Sequence, residues 1–183
     1  DDMKRTAIIF DTETTGLLLP NRAPLEKQPR IIELGALKID HTGEIGSISQ
    51  LINPDVEISP TITKITGITQ EQLTGMPSFV DFLPQLKEFF TGVDTLIAHN
   101  CPFDAGMLTN ELLRAGCEDF PWPPEKICTV QEYLPLFGHR PKLTKLYEKI
   151  MGEPLMQTHR ALDDVMAVHA VLIKDNFFDT IDA

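Results

Sequence analysis

The chain has 183 residues, 42% of them hydrophobic, and a formal net charge of −11. This length and apolar content suit one globular domain over 1–183, and no apolar run approaches the roughly 20 residues of a membrane span. The acidic balance argues against a long electrostatic footprint on duplex DNA, but allows a short contact made through bound cations.

The N-terminal DDMKRTAIIF carries a basic pair, but its apolar stretch is too short for a secretory signal. Asp1 and Asp2 precede Met3, which reads as the natural start. Cys101, Cys117 and Cys128 are odd in number and lack CxxC spacing, so they read as reduced thiols of a cytoplasmic protein.

Ala7 to Phe10 form a continuous apolar run, the pattern of a strand buried on both faces. The run leads directly into Asp11-Thr12-Glu13-Thr14-Thr15. Side chains at i and i+2 share a face of a strand, so Asp11 and Glu13 point the same way. Two such carboxylates repel, and a hard divalent cation removes the conflict. The bland alternative is a polar strand end in which Thr14 or Thr15 caps the next element. Residues 18–30 form an irregular loop whose Arg22, Lys27 and Arg30 either guide a ligand or are simply solvated. A second strand is expected over 31–40, a turn at HTG, and a third strand over 44–53.

The segments SPTITKITGI and TQEQLTG suggest short helical turns. Residues 78–90 form an amphipathic helix with Ser78 as N-cap and a kink candidate at Pro84. A fourth strand covers 94–99, and a helix over 102–116 closes at Gly116. KICTV reads as a fifth strand, followed by helices over 130–137, near LTKLYEKIM, and over about 160–175. A three-strand meander followed by alternating helices and strands indicates a layered α/β domain with a mixed sheet.

Further acids stand where this organisation leads. Asp104 falls in the first turn of the helix after strand four, where the helix dipole alone would favour a carboxylate. His159 and Asp164 are five residues apart, about 140° around a helix, so they cannot converge if both are helical. His159 therefore belongs to the preceding loop, while Asp164 lies in the helix on a stripe with Ala161 and Val168. Asp163 is about 100° away from Asp164 and is left at the surface.

The segments FDTETTGL, HNCPFDAGML and HRALDD match, in order, the DxE, NxxFD and HxAxxD motifs of the DEDDh, or DnaQ-like, 3′→5′ exonucleases. The chain resembles this family over about residues 6–175. Proofreading subunits of bacterial replicative polymerases, TREX-type nucleases, RNase T and oligoribonuclease are members. The resemblance implies a ribonuclease H-like fold: a five-stranded mixed sheet flanked by helices in three layers. It implies hydrolysis of strand 3′ ends to nucleoside 5′-monophosphates with two Mg²⁺ or Mn²⁺ ions. Asp11 would bridge the ions, Glu13 and Asp164 would complete one site, and Asp104 would hold the other, directly or through water. His159 would be the general base, with His99 a rival only in principle.

For substrate, the resemblance points to Thr12, Thr14 and Thr15 at the terminal nucleotide and to Ile65 as an apolar wedge beside its base. Relatives often carry His at the position of Thr66, which leaves a contact there in doubt. His99, Asn100 and Phe103 complete the expected strand contacts, with core packing the alternative for Phe103. The TETTG form resembles proofreaders and TREX-type enzymes and favours single-stranded DNA. ALDD at 161–164 resembles oligoribonucleases and keeps RNA as the alternative; a third reading is a non-catalytic nucleic-acid-binding module. QEYLPLF at 131–137 looks like a sliding-clamp motif, but Val130, Leu134 and Phe137 also form an ordinary core stripe.

Overall fold

The computed structural model describes residues 5–178; the expectation for Asp1 to Met3 lies outside them. Five strands, β1 (Ala7–Thr14), β2 (Ile31–Asp40), β3 (Gly43–Leu51), β4 (Thr95–Ala98) and β5 (Glu125–Cys128), form one sheet in the order β3-β2-β1-β4-β5. β1 pairs antiparallel with β2 and parallel with β4, so the sheet is mixed. The helices are α1 (Pro60–Thr66), α2 (Gln70–Leu73), α3 (Phe79–Phe90), α4 (Cys101–Arg114), α5 (Thr129–Phe137), α6 (Leu143–Met151) and α7 (Ala161–Lys174).

The two-residue period of the strands divides the core. Ile8 and Phe10 of β1, with Leu34 and Ala36 of β2, pack under α3 and α4. Ala7 and Ile9, with Leu37 and Ile39, pack under α6 and α7. The result is the expected three-layer, ribonuclease H-like arrangement. Ile32, Ile58, Ile68 and Leu73 make a smaller third cluster around α1 and α2.

Helix ends follow local chemistry. Ser78 caps α3 by accepting from Asp81 N at 3.1 Å, and Pro84 is accommodated inside that helix. Thr69 and Gln72 form a capping box on α2. Several boundaries shift by one or two residues from expectation, and two of them bear on the site. β1 runs past its apolar stretch as far as Thr14, because β2 continues to pair with it as far as Ile31. β4 stops at Ala98, so His99 lies just past the strand.

The unequal lengths of β1 and β4 create the site. β4 pairs only with Ala7–Ile9, so the stretch from Asp11 onward has β2 on one side and no strand on the other. The N-terminus of α4 enters that gap. A crevice outside the carboxyl ends of strands is where open α/β sheets bind ligands.

Candidate active site

The strand period that sorts the core also sorts the acids. Thr12 follows Phe10 toward α4, while Asp11 and Glu13 continue the Ile9 face toward α7. Asp104, buried in the first turn of α4, accepts from the Thr12 backbone N–H at 3.1 Å and from its hydroxyl at 2.6 Å. It takes the N–H that a longer β4 would have paired. Across the sheet, α7 brings Asp164 to the other two acids. Asp11, Glu13 and Asp164 each offer a carboxylate oxygen within 4.8 Å of the others. Asp163 is exposed and accepts from the Thr158 hydroxyl.

Gathering these groups away from water shifts all four. Asp11 is raised well above the ordinary carboxylate range, first by burial, then by Asp104, Asp164 and Glu13. Glu13 is pushed to about 8 by burial and by Asp164. Asp104 is raised to about 7 by burial, although the Thr12 hydrogen bonds pull the other way. Asp164 is raised by burial, partly offset by a hydrogen bond from Gln157 and by the nearby His159. Oδ2 of Asp11 is buried and has no hydrogen-bond partner. Such an orphaned oxygen is costly unless something binds it. Together, oxygen-only donors, mutual repulsion and the orphaned oxygen fit a divalent cation.

Two further residues, not anticipated from sequence, hold this arrangement. Glu33 of β2 lies opposite Glu13 and is fully buried. Its Oε1 accepts from Ala161 N at 2.9 Å, and its Oε2 accepts from Arg160 Nε at 2.9 Å. Glu33 thus caps the helix that carries Asp164, a task the N-cap residue Arg160 cannot perform itself. Two residues along, Gly35 lets the helix touch the strand: a Cβ there would lie 2.4 Å from Leu162 N and 2.6 Å from the Ala161 carbonyl carbon. The available signal was an acid in the middle of the apolar segment IIELGALKID.

His159 is exposed and sits two residues ahead of α7 with φ 60°, in the loop as expected. The other candidates divide. Ile65 is exposed on α1, and Phe103 is half-buried against the α3–α4 side of the core. Thr66 is buried, with its hydroxyl donating to Ile62 O and accepting from Ile68 N, so its side chain does not face a ligand. The hydroxyls of Thr12, Thr14 and Thr15 all have internal partners: Asp104, Gly16 and the Arg30 N–H respectively.

His99 is engaged at both ring nitrogens, 2.8 Å from the Thr129 hydroxyl and 2.9 Å from Pro141 O. Since a carbonyl only accepts, Nε2 carries a proton and Nδ1 is the acceptor. Burial lowers the pKa of this ring. Asn100 adopts a left-handed conformation, φ 73°, at the start of α4 and accepts from Arg140 at 3.1 Å.

In the 18–30 loop, Arg22 and Lys27 are exposed, but Arg30 is bound to buried Glu111 at 3.0 Å. Arg30 is therefore structural and not a guide for a strand. The clamp-like pattern lies in α5, where Tyr133 is buried and Phe137 packs on the α6–α7 side of the core. Among the described residues, no helix is long and apolar enough to cross a membrane.

The sheet order and the carboxylates at the end of its central strand define the class, a domain of ribonuclease H-like fold with an acidic site. The chain belongs to the RNase T exonuclease family, whose model it matches over residues 8–172. It is 36% identical over 159 residues to the DNA polymerase III subunit epsilon of Treponema pallidum, covering 85% of this chain and 69% of that one. It is 34% identical over 165 residues to the DNA polymerase III PolC-type of Clostridium perfringens, covering 90% of this chain but spanning only 11% of the relative. Among solved structures, exonuclease X in complex with 5′ overhanging duplex DNA is similar at TM-score 0.63 and 27% identity, with 92% and 89% of the two chains covered. The nuclease domain of 3′hExo, a DEDDh family member, shares the fold at TM-score 0.73 and 23% identity, over 96% of this chain and 94% of that one.

Proposed function

We propose that the domain removes nucleotides from the 3′ end of single-stranded DNA, releasing nucleoside 5′-monophosphates with the help of two divalent cations. The observation that carries this reading is the cluster of Asp11, Glu13 and Asp164 with the orphaned Asp11 oxygen, beside Asp104 at the open end of β1. Asp11, Glu13 and Asp164 would hold one Mg²⁺ or Mn²⁺, with Asp11 and Asp104 facing a second. When bound, such ions polarise the phosphate and stabilise the leaving 3′-oxygen.

The protein's own residues do the rest. His159 takes the proton from the attacking water on an imidazole nitrogen, and its exposed, loop-borne position gives it access to the strand end. The water oxygen bonds to phosphorus as the bond to the upstream 3′-oxygen breaks, and that oxygen takes a proton from solvent, leaving a shortened strand with a 3′-hydroxyl. Exposed Ile65 on α1 offers an apolar face to the terminal base. DNA is preferred to RNA because a relative matched over most of its length is a DNA polymerase subunit.

The test uses matched DNA and RNA oligonucleotides labelled at the 5′ end. A ladder shortening from the 3′ end in Mg²⁺ or Mn²⁺, absent in EDTA and faster on DNA, is expected. Equal or faster cleavage of RNA would overturn the substrate choice. Cutting of a circular single strand would overturn the requirement for a strand end.

A further inference from the structure

We propose that the exposed basic loop between α5 and α6 is a phosphate track for the part of the strand upstream of the scissile bond. The inference deepens the exonuclease reading and rests on it. Residues 138–147, GHRPKLTKLY, run from this loop into the first turns of α6 and contain His139, Arg140, Lys142 and Lys145 and no acid, in a chain of net charge −11. These four residues are exposed, and none forms an ion pair among the described residues.

The loop is fastened at two points to the β4–α4 junction, which leads into the helix that carries Asp104. His99 Nε2 donates to Pro141 O at 2.9 Å, and Arg140 donates to Asn100 Oδ1 at 3.1 Å. Asn100 stands four residues before Asp104, roughly 6 Å along the α4 axis. Arg140 is thereby held about one helical turn from a catalytic carboxylate. A guanidinium has five N–H donors in a fork that matches phosphate, and one bond to Asn100 leaves most of them available.

Local helix chemistry is also disobeyed here. Lys142 is the N-cap of α6, makes no side-chain cap, and is followed by a first turn without an acid. Helix starts ordinarily favour negative charge. The charge balance that the sequence omits is one that a polyanionic strand supplies. His99 and Asn100 thus become the mounting of the track, and need not be contacts themselves.

The experiment measures kcat and KM for wild type and for a double variant, Arg140→Gln with Lys142→Gln, on two substrates. One is a labelled single-stranded oligonucleotide. The other is the p-nitrophenyl ester of thymidine 5′-monophosphate, which has a scissile phosphodiester and no upstream phosphate. On the oligonucleotide, KM should rise about tenfold with kcat within about twofold, and the log–log salt dependence should become shallower by about 1.4, at ~0.7 per phosphate contact on a single strand. Ester hydrolysis should change by less than about twofold, since the reacting phosphate is held elsewhere. An unchanged KM and salt slope on the oligonucleotide would overturn the track. An equal loss on the ester would also overturn it, by placing the two cations at the reacting phosphate. If wild type cleaves neither substrate, the exonuclease reading falls first and the track with it.

Discussion

Two sets of carboxylates stand within the same layers of this molecule and differ in what surrounds them: one is fully enclosed, and the other is half-buried except at Asp104. Glu33 and Glu111 are fully buried, and each is met by an arginine and a backbone N–H: Arg160 and Ala161 for one, Arg30 and Ile31 for the other. Asp11, Glu13, Asp104 and Asp164 crowd together with no arginine or lysine among the causes that shift them. A buried acid that serves the fold has its charge answered within the chain. The clustered acids have no such answer, which leaves their charge open for a ligand. The difference separates Asp104 from Glu33 and Glu111, which burial alone would merge.

The largest effect is expected at the unanswered set. Asp11→Asn should reduce exonuclease activity to background while raising the metal-free unfolding temperature at pH 8, because it removes repulsion. It should also abolish most of the upward shift that Mn²⁺ produces in wild type, which calorimetry or dye-based unfolding would detect. If the Mn²⁺ shift were equal in both proteins, the comparison would fail at its root.

His159→Ala should leave that Mn²⁺ shift intact and lower kcat by roughly 10²–10⁴-fold. A variant within threefold of wild type would remove His159 as base.

At the answered set the order reverses. Glu111→Gln strands Arg30 and Arg114 and should cost about 3–5 kcal/mol of stability, without changing the metal concentration for half-maximal activity. Glu33→Gln still accepts from Ala161 but weakens the bond to half-exposed Arg160, costing about 1–2 kcal/mol. Because Glu33 positions the start of α7, this change should raise the metal midpoint as well. If the two substitutions moved the metal midpoint equally, Glu33 would be no more than a second Glu111.

The smallest effect concerns pH. The four clustered acids have folded-state pKa values raised above their unfolded values, so the metal-free fold binds the extra protons. Their contribution is fully present below about pH 4 and is lost as pH rises through about 7 and 8, the values for Asp104 and Glu13. Metal-free protein should therefore lose unfolding temperature from pH 5 to 8 relative to Asp11→Asn. Saturating Mn²⁺ should flatten the decline, since the ion replaces the protons.

The sequence made the unanswered set legible because its members lie in short segments with strong local context. Asp11 and Glu13 share a strand, Asp104 opens a helix, and helical spacing separates His159 from Asp164. The answered set was hidden for the opposite reason. Glu33 meets Arg160 across 127 residues and Glu111 meets Arg30 across 81, and no local period links such partners. Arg30 consequently reads, in sequence, as a loop cation free to guide a ligand. The end point of β1 at Thr14 was less legible, because polar residues ordinarily signal the end of a strand, whereas here the longer partner β2 keeps pairing.

Gly35 has an ordinary strand conformation, so nothing in its backbone asks for glycine. Its requirement comes from a neighbour, since even a methyl group would occupy the space of the α7 backbone at Leu162. In a library randomised at this one codon, selection for nuclease activity should retain glycine alone, whereas selection for soluble expression should also pass small residues that push α7 outward. The distance between α7 and the sheet is thus encoded by an absent atom, and it sets how far Asp164 reaches toward Asp11.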